Sequence, residues 1–315
     1  MSATSNIEWT DATWNPIAGC SKLTSGCANC YALRMSHRIA SMEKHPGRYN
    51  GIVRATPRGA AWTGLVNVDW AEIDKPLRWQ KPRMVFACSM SDLFYEGVSD
   101  VVIDQVFGIM TLAQQHTFQI LTKRSSRMRR WFENLPENPT SQFRGALAAR
   151  WGLWDERLQN KLIDQWTWPL PNVWIGVTVE NQECADRRVP DLLSVPAAVR
   201  YVSAEPLLGP LHLSRIKDHG ADDNALTGER RMAPYCYADG GPRLSWVIVG
   251  GESGPNARLM RESWLRGVLR DCQKASVPVF VKQMGTAWAR DHELHGKASN
   301  PKQWPDDLRV REWPT

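Results

Sequence analysis

The sequence predicts an α/β fold, a partial (β/α) barrel of six to seven parallel strands with insertions, on three observations. Short β-branched or aromatic runs recur along the 315 residues, segments with helical periodicity lie between most of them, and each run closes in small, polar or charged residues. Strands that alternate with helices pair in parallel through right-handed crossovers. The polar clusters then fall together at the C-terminal rim, where such barrels hold their chemistry.

The first run, Thr13 to Cys20, precedes a segment, Ala28 to Met42, that sets Leu33, Ser36 and Ala40 at helical spacing. Met84 to Cys88 ends in SMSD, and after it Val102, Val106, Ile109 and Ala113 mark a helix over Val101 to Ala113. Thr117 to Thr122 closes in TKR, Val173 to Val179 in TVEN, Val199 to Ser203 in SAEP and Trp246 to Val249 in GGESG. Arg261 to Lys274 places Trp264, Val268 and Leu269 on one face, with Glu262 in its first turn and Lys274 near its end, as the helix dipole favours. Val277 to Lys282 is the last run. Three stretches near 43–82, 136–171 and 212–242 break the rhythm and read as insertions into a barrel spanning 1–290, with 291–315 as a C-terminal extension packed on it.

Composition narrows the class. With 43% hydrophobic and 23% charged residues the chain is not disordered. No run approaches the roughly 18 apolar residues that a membrane span needs, and the opening MSATSNIEWTDATW lacks the regions of a signal peptide, so a cytoplasmic protein without a membrane partner is expected. Lys plus Arg exceed Asp plus Glu by 39 − 33 = 6, a balance that suits a polyanionic partner and is also common without one. The 16 tryptophans read as packing residues.

Seven cysteines, an odd number, argue against a disulfide framework. Cys20, Cys27 and Cys30 form a C-x6-C-x2-C pattern, whereas Cys88, Cys184, Cys236 and Cys272 are scattered. Three thiolates can hold three irons of a 4Fe-4S cluster and leave the fourth iron open, while structural zinc requires a fourth ligand. His37 lies seven residues past Cys30, about 10 Å along a helix, too far to close a tetrahedron. Zinc completed by Cys88 or Cys236, or three buried thiols without metal, are the other readings.

At the rim, Thr178, Glu180 and Asn181 offer a hydroxyl, a carboxylate and an amide for the ribose and amino acid of a nucleoside cofactor. Glu205 and Glu252 are candidate substrate ligands, or else ion-pair partners of Arg200, Arg258 or Lys282. Arg127, Arg129 and Arg130 follow Lys123 and Arg124 as a basic stretch that can engage phosphates or stand as a solvated helix face.

The segments NIEWTDATWNPIAGC, GCANCYA, LTKR, VWIGVTVENQE, VRYVSAEPLLGP, WVIVGGESGPNAR, PVFVKQMG and WPDDLRVREWP cover nearly the whole chain. Through them it resembles the radical S-adenosylmethionine superfamily, and more closely a phage- and prophage-encoded family with a three-cysteine motif. The resemblance implies a partial barrel whose open-iron 4Fe-4S cluster, on Cys20, Cys27 and Cys30, binds S-adenosyl-L-methionine and cleaves it to a 5′-deoxyadenosyl radical. It implies too a reducing partner such as flavodoxin or ferredoxin. The superfamily's first cysteine gap is three residues, with an aromatic before the third cysteine; here the gap is six and that position is Asn29, while Tyr31 supplies an aromatic just after Cys30. FACSMSDLF and FQILTKR are similar to spore photoproduct lyases, which implies Cys88 as the hydrogen donor and Ser89 and Lys123 as holders of the cofactor's methionine part. The function expected is repair or modification of a nucleic acid or nucleotide. A non-catalytic, nucleic-acid-binding protein with a structural metal is the alternative.

Overall fold

The computed structural model describes residues 5, 7–42, 47–57, 59–151, 167–218, 221–232, 236–238 and 240–314. Its main sheet is a parallel half-barrel, with seven strands in sequential order. These are β1 (Ala12–Trp14), β2 (Met84–Ala87), β3 (Thr117–Thr122), β4 (Val173–Thr178), β5 (Val199–Ala204), β6 (Trp246–Gly250) and β7 (Val279–Gln283). The helices are α1 (Tyr31–Ala40), α2 (Asp100–Leu112), α3 (Ser125–Glu133), α4 (Thr140–Trp151), α5 (Gln182–Ser194), α6 (Glu262–Lys274) and α7 (Thr286–Asp291). The predicted alternation is therefore present. None of the helices of the described residues is long and apolar enough to cross a membrane.

Local chemistry moves several boundaries. The first predicted run divides into β1 and a short strand, Ile17–Ala18, because Pro16 between them has no N–H for a ladder. The short strand turns away to pair with Asn67–Val68. The predicted helix from Ala28 begins only at Tyr31, after a 3₁₀ turn over Ser25–Cys27. The 212–242 insertion carries an antiparallel sheet of Ile216–Asp218, Ala221–Asn224, Glu229–Met232 and Cys236–Ala238. Residues 152–166 of the 136–171 insertion lie outside the described residues.

The chain divides into two compact units: 1–22, 32–174 and 196–198 form the first, and 23–31, 175–195 and 199–315 the second. In the first, an aromatic cluster joins α2, α3 and α4. Phe107 lies 4.5 Å from Trp131 and 5.8 Å from Phe143 between ring centroids, and Trp131 donates its indole N–H to Asp104 at 3.1 Å. In the second, Tyr201, Trp246 and Phe280 fill the space under β5, β6 and β7. The C-terminal extension covers the outer edge of β7: Val281 N–H bonds to Val310 O and Glu312 N–H to Val279 O, both at 2.9 Å. Trp246 adds a bond from its indole to Glu312 O at 2.8 Å.

Gly176 on β4 has a steric reason. A Cβ there would stand 2.5 Å from the buried Tyr201 ring. Gly176→Ala is expected to lower stability by about 1–3 kcal/mol, the usual cost of overpacking, read as a lower urea midpoint at unchanged slope. A midpoint equal to the parent's would show that the ring moves aside freely.

Candidate functional site

The cysteine loop leaves the sheet after β1 and enters α1. Cys20, Cys27 and Cys30 are all free and partly exposed. In the first unit, Gly19 supplies the turn before Cys20, with φ of 109°, at a point where a Cβ would collide with Leu65 O at 2.2 Å. Ser21, next in line, is held by the buried Arg124. The Arg124 guanidinium donates to Ser21 O at 3.0 Å and Ser21 Oγ at 2.9 Å, to Asp92 at 3.3 Å and to Glu96 at 2.9 Å. Its carbon lies 4.7 Å from the centre of the Tyr95 ring. Burial works against the Arg124 charge, but attraction to Asp92, Cys20 and Glu96 outweighs it and raises the pKa.

Asp92 ties two strand ends together. It accepts from Thr122 Oγ1 at 2.7 Å, from Lys123 N–H at 3.0 Å and from Phe94 N–H at 3.1 Å. Cys88, at the end of β2, is buried and has a left-handed backbone with φ of 58°. Its N–H bonds to Trp14 O at 2.8 Å, and its carbonyl accepts from Ser91 N–H at 3.1 Å. Burial pushes the Cys88 thiol up to about 12. Ser89 Oγ donates to Asn15 Oδ1 at 3.1 Å. The basic stretch is partly self-paired: Arg127 meets Asp100, and Arg129 lies 3.5 Å from Glu133, while Arg130 is exposed.

In the second unit the segment from Leu23 to Tyr31 is gripped by two carboxylates. Glu180, just past β4 and with no exposed side-chain surface, pairs with Arg188 at 3.1 Å and accepts from Thr24 Oγ1 at 2.9 Å. The approach is so close that a Cβ at Gly26 would stand 2.2 Å from Glu180 Oε1. Glu252, past β6, accepts from Asn29 Nδ2 at 3.0 Å, from Arg258 N–H at 2.8 Å and from Arg258 Nε at 2.9 Å. Arg258 in turn donates to Ser25 O at 2.9 Å, and Asn29 to Asn256 O at 2.9 Å. Burial would raise the Glu252 pKa, but the bonds from Arg258 and Asn29 prevail and lower it.

The remaining candidates have settled partners. Asn181 caps α5 by accepting from Cys184 N–H at 3.0 Å, and Thr178 is buried with its carbonyl bound by Arg188. Glu205 pairs with Lys282 at 2.7 Å. Glu205 and Glu252 thus make the structural ion pairs that were one of their two readings. Tyr31, which opens α1, is exposed.

Thr24, Gly26 and Arg188 carry no signal in the sequence, whereas Asp92 is visible as the last residue of SMSD, Arg124 as part of the basic stretch and Arg258 as one of the bases open to Glu205 and Glu252. Among the described residues, no group of three or more His, Cys, Asp or Glu side chains is gathered to hold a metal ion. The residue types nonetheless suit thiolate-bound iron: three cysteines on one stretch of chain, all of them free, Cys20 in the first unit and Cys27 and Cys30 in the second. A family model described as a protein of unknown function (DUF5131) matches residues 4–312. No curated protein and no solved structure matches the chain.

Two outcomes follow from this geometry. With a pKa of about 12, only about one Cys88 thiol in ten thousand is ionised at pH 8, so it should escape iodoacetamide in the native metal-free protein while Cys20, Cys27 and Cys30 are alkylated. Mass spectrometry of the digest reads this, with the urea-unfolded protein as the control in which all four react. For Glu252 the folded pKa is lowered, so its stabilisation is complete above the ordinary carboxylate range near 4.3 and is lost as the pH falls through the folded value. Glu252→Gln should cost about 1–2 kcal/mol at pH 6, and melts taken from pH 5 downward should show that difference shrinking.

Proposed function

Because the chain belongs to the DUF5131 family, whose description is a protein of unknown function, we propose a function from the residues themselves: a radical S-adenosylmethionine enzyme acting on a nucleic acid or nucleotide. The observation that carries this reading is the grip on the cysteine loop. Two buried carboxylates, Glu180 and Glu252, reach it through Thr24 and Asn29, and an arginine at each flank, Arg124 and Arg258, binds its carbonyls at Ser21 and Ser25. Chemistry that needs fixed ligands calls for such a supporting shell.

Cys20, Cys27 and Cys30 are the residues that would hold three irons of a 4Fe-4S cluster. When bound, the cluster supplies the electron that cleaves S-adenosyl-L-methionine to a 5′-deoxyadenosyl radical. The chain's own groups act around that event. Lys123 and Ser89 would hold the methionine part of the cofactor, Lys123 as a point charge for its carboxylate. Cys88 keeps its proton at every physiological pH, which is the state a thiol needs to give a hydrogen atom to a substrate radical. Burial also shields it from oxidation. Tyr31, exposed and next in the chain to the third cysteine, would offer its ring to the reaction. Because Glu180, Asn181 and Thr178 are engaged within the fold, they position the loop and α5 in this reading. Arg130 would contact phosphate directly, and Arg127 and Arg129 only after leaving Asp100 and Glu133. A flavodoxin- or ferredoxin-like reductant is the partner the chemistry requires.

Anaerobic reconstitution is the test. The protein should take up about four irons and four sulfides per chain, replacement of any one of Cys20, Cys27 and Cys30 by Ala should lose most of that iron, and the reduced protein should release 5′-deoxyadenosine from S-adenosyl-L-methionine. Stoichiometric zinc in place of iron would turn the assignment to a non-catalytic nucleic-acid-binding protein.

A further inference from the structure

Away from the cysteine loop, the second unit contains a cavity of about 570 Å³, lined by the segment before the small antiparallel sheet, by the turn within that sheet and by the last turns of α6. This is the size of a small-molecule site, for which about 300–1,000 Å³ is usual. Arg215, Arg270 and Lys274 line it, and all three are exposed. The Arg215 and Lys274 side chains have no hydrogen-bonding or ionic partner among the described residues, and Arg270 reaches only Asp271, at 4.0 Å. Asp271 is the most enclosed charged group in the lining. It accepts from Ser214 Oγ at 3.2 Å and lies 3.6 Å from His212 Nδ1. Asn224 uses its amide oxygen on the N–H groups of Leu226 and Thr227, which leaves its NH₂ as a donor.

Two kinds of recognition therefore meet in one cavity. Cations without partners bind a phosphate by charge-assisted hydrogen bonds. A carboxylate, an amide and hydroxyls are what sugar hydroxyl groups, each both donor and acceptor, require. Glu229 also lines the cavity, so a bare anion would meet two carboxylates with nothing to offer them, whereas a sugar phosphate would give Asp271 hydroxyl donors. We propose that this cavity binds a phosphorylated sugar, with Arg215, Arg270 and Lys274 on the phosphate and Asp271, Ser214 and Asn224 on the hydroxyls. The ligand can come from two sources, a free sugar phosphate or nucleotide, or the phosphorylated 5′ end of a nucleic acid. The proposal does not depend on the cysteine loop.

Calorimetric titration of the full chain, with no cluster loaded, decides it. Ribose 5-phosphate is expected to bind at least tenfold more tightly than inorganic phosphate or ribose. Arg215→Gln combined with Lys274→Gln should weaken it at least tenfold, while Asp271→Asn should weaken ribose 5-phosphate and spare inorganic phosphate. Both cations are exposed, so the fold should tolerate their loss. If the double variant melts early, the two single variants should each show at least a threefold loss. A 5′-phosphorylated dinucleotide that outbinds both ribose 5-phosphate and its own dephosphorylated form would identify the nucleic-acid source, and equal affinity of ribose 5-phosphate and the dinucleotide the free ligand. Ribose 5-phosphate that binds no better than inorganic phosphate, or equally well to parent and charge variants, overturns the proposal.

Discussion

A carboxylate without exposed surface must be met by charge and hydrogen bonds where it stands, and Glu180 is such a group. Arg188 neutralises it from α5, whose first turn begins two residues later, so the pair also fixes how that helix leaves β4. The second oxygen is left to accept from Thr24, and this one bond draws in the segment that carries Cys27 and Cys30. Removing either member of a buried pair costs about 3–5 kcal/mol, because the other is stranded. The absence of a side chain at Gly26 belongs to the same constraint: any larger residue would push the loop off the carboxylate.

Charge is used in the same way on the other flank. Arg124 is shared by Ser21 at the start of the loop and by Asp92 and Glu96, two acids of the one segment that follows β2. The arginines after it in α3 behave differently. Arg127 and Arg129 face carboxylates on the surface, where such pairs are worth little and exchange readily. A basic stretch that looks uniform in sequence thus separates into one structural hub, Arg124, and arginines that face carboxylates or solvent.

The strands of the half-barrel were legible because each is a short apolar run buried on the sheet, and that pattern survives translation into one dimension. The small antiparallel sheet was not. Its strands carry Lys217, Asp218, Asp222, Asp223, Arg230 and Arg231, and offer no apolar alternation to detect. At the candidate site the acidic anchors were visible as charges at strand ends, yet their partners on the cysteine loop were not. Thr24 is 156 residues from Glu180 and Asn29 is 223 from Glu252, so nothing local links them. Asn29 is instructive, since it stands where the resemblance expects an aromatic, and its amide makes two of the bonds that anchor the loop. The ion pairs of Glu205 and Glu252 are one of the two readings open in the sequence, because an acid drawn out of full solvent favours a base nearby.

The backbone of Cys88 carries a meaning of its own. A left-handed conformation costs a residue with a Cβ about 1–2 kcal/mol and costs glycine almost nothing. Glycine would also end β2 and turn the chain toward Ser91 with the same hydrogen bonds, since those are made by the main chain. The protein instead bends a sulfur-bearing residue into glycine's conformation. Ease of turning is thus given up at this position, and the chain carries a buried thiol at the very residue where it bends.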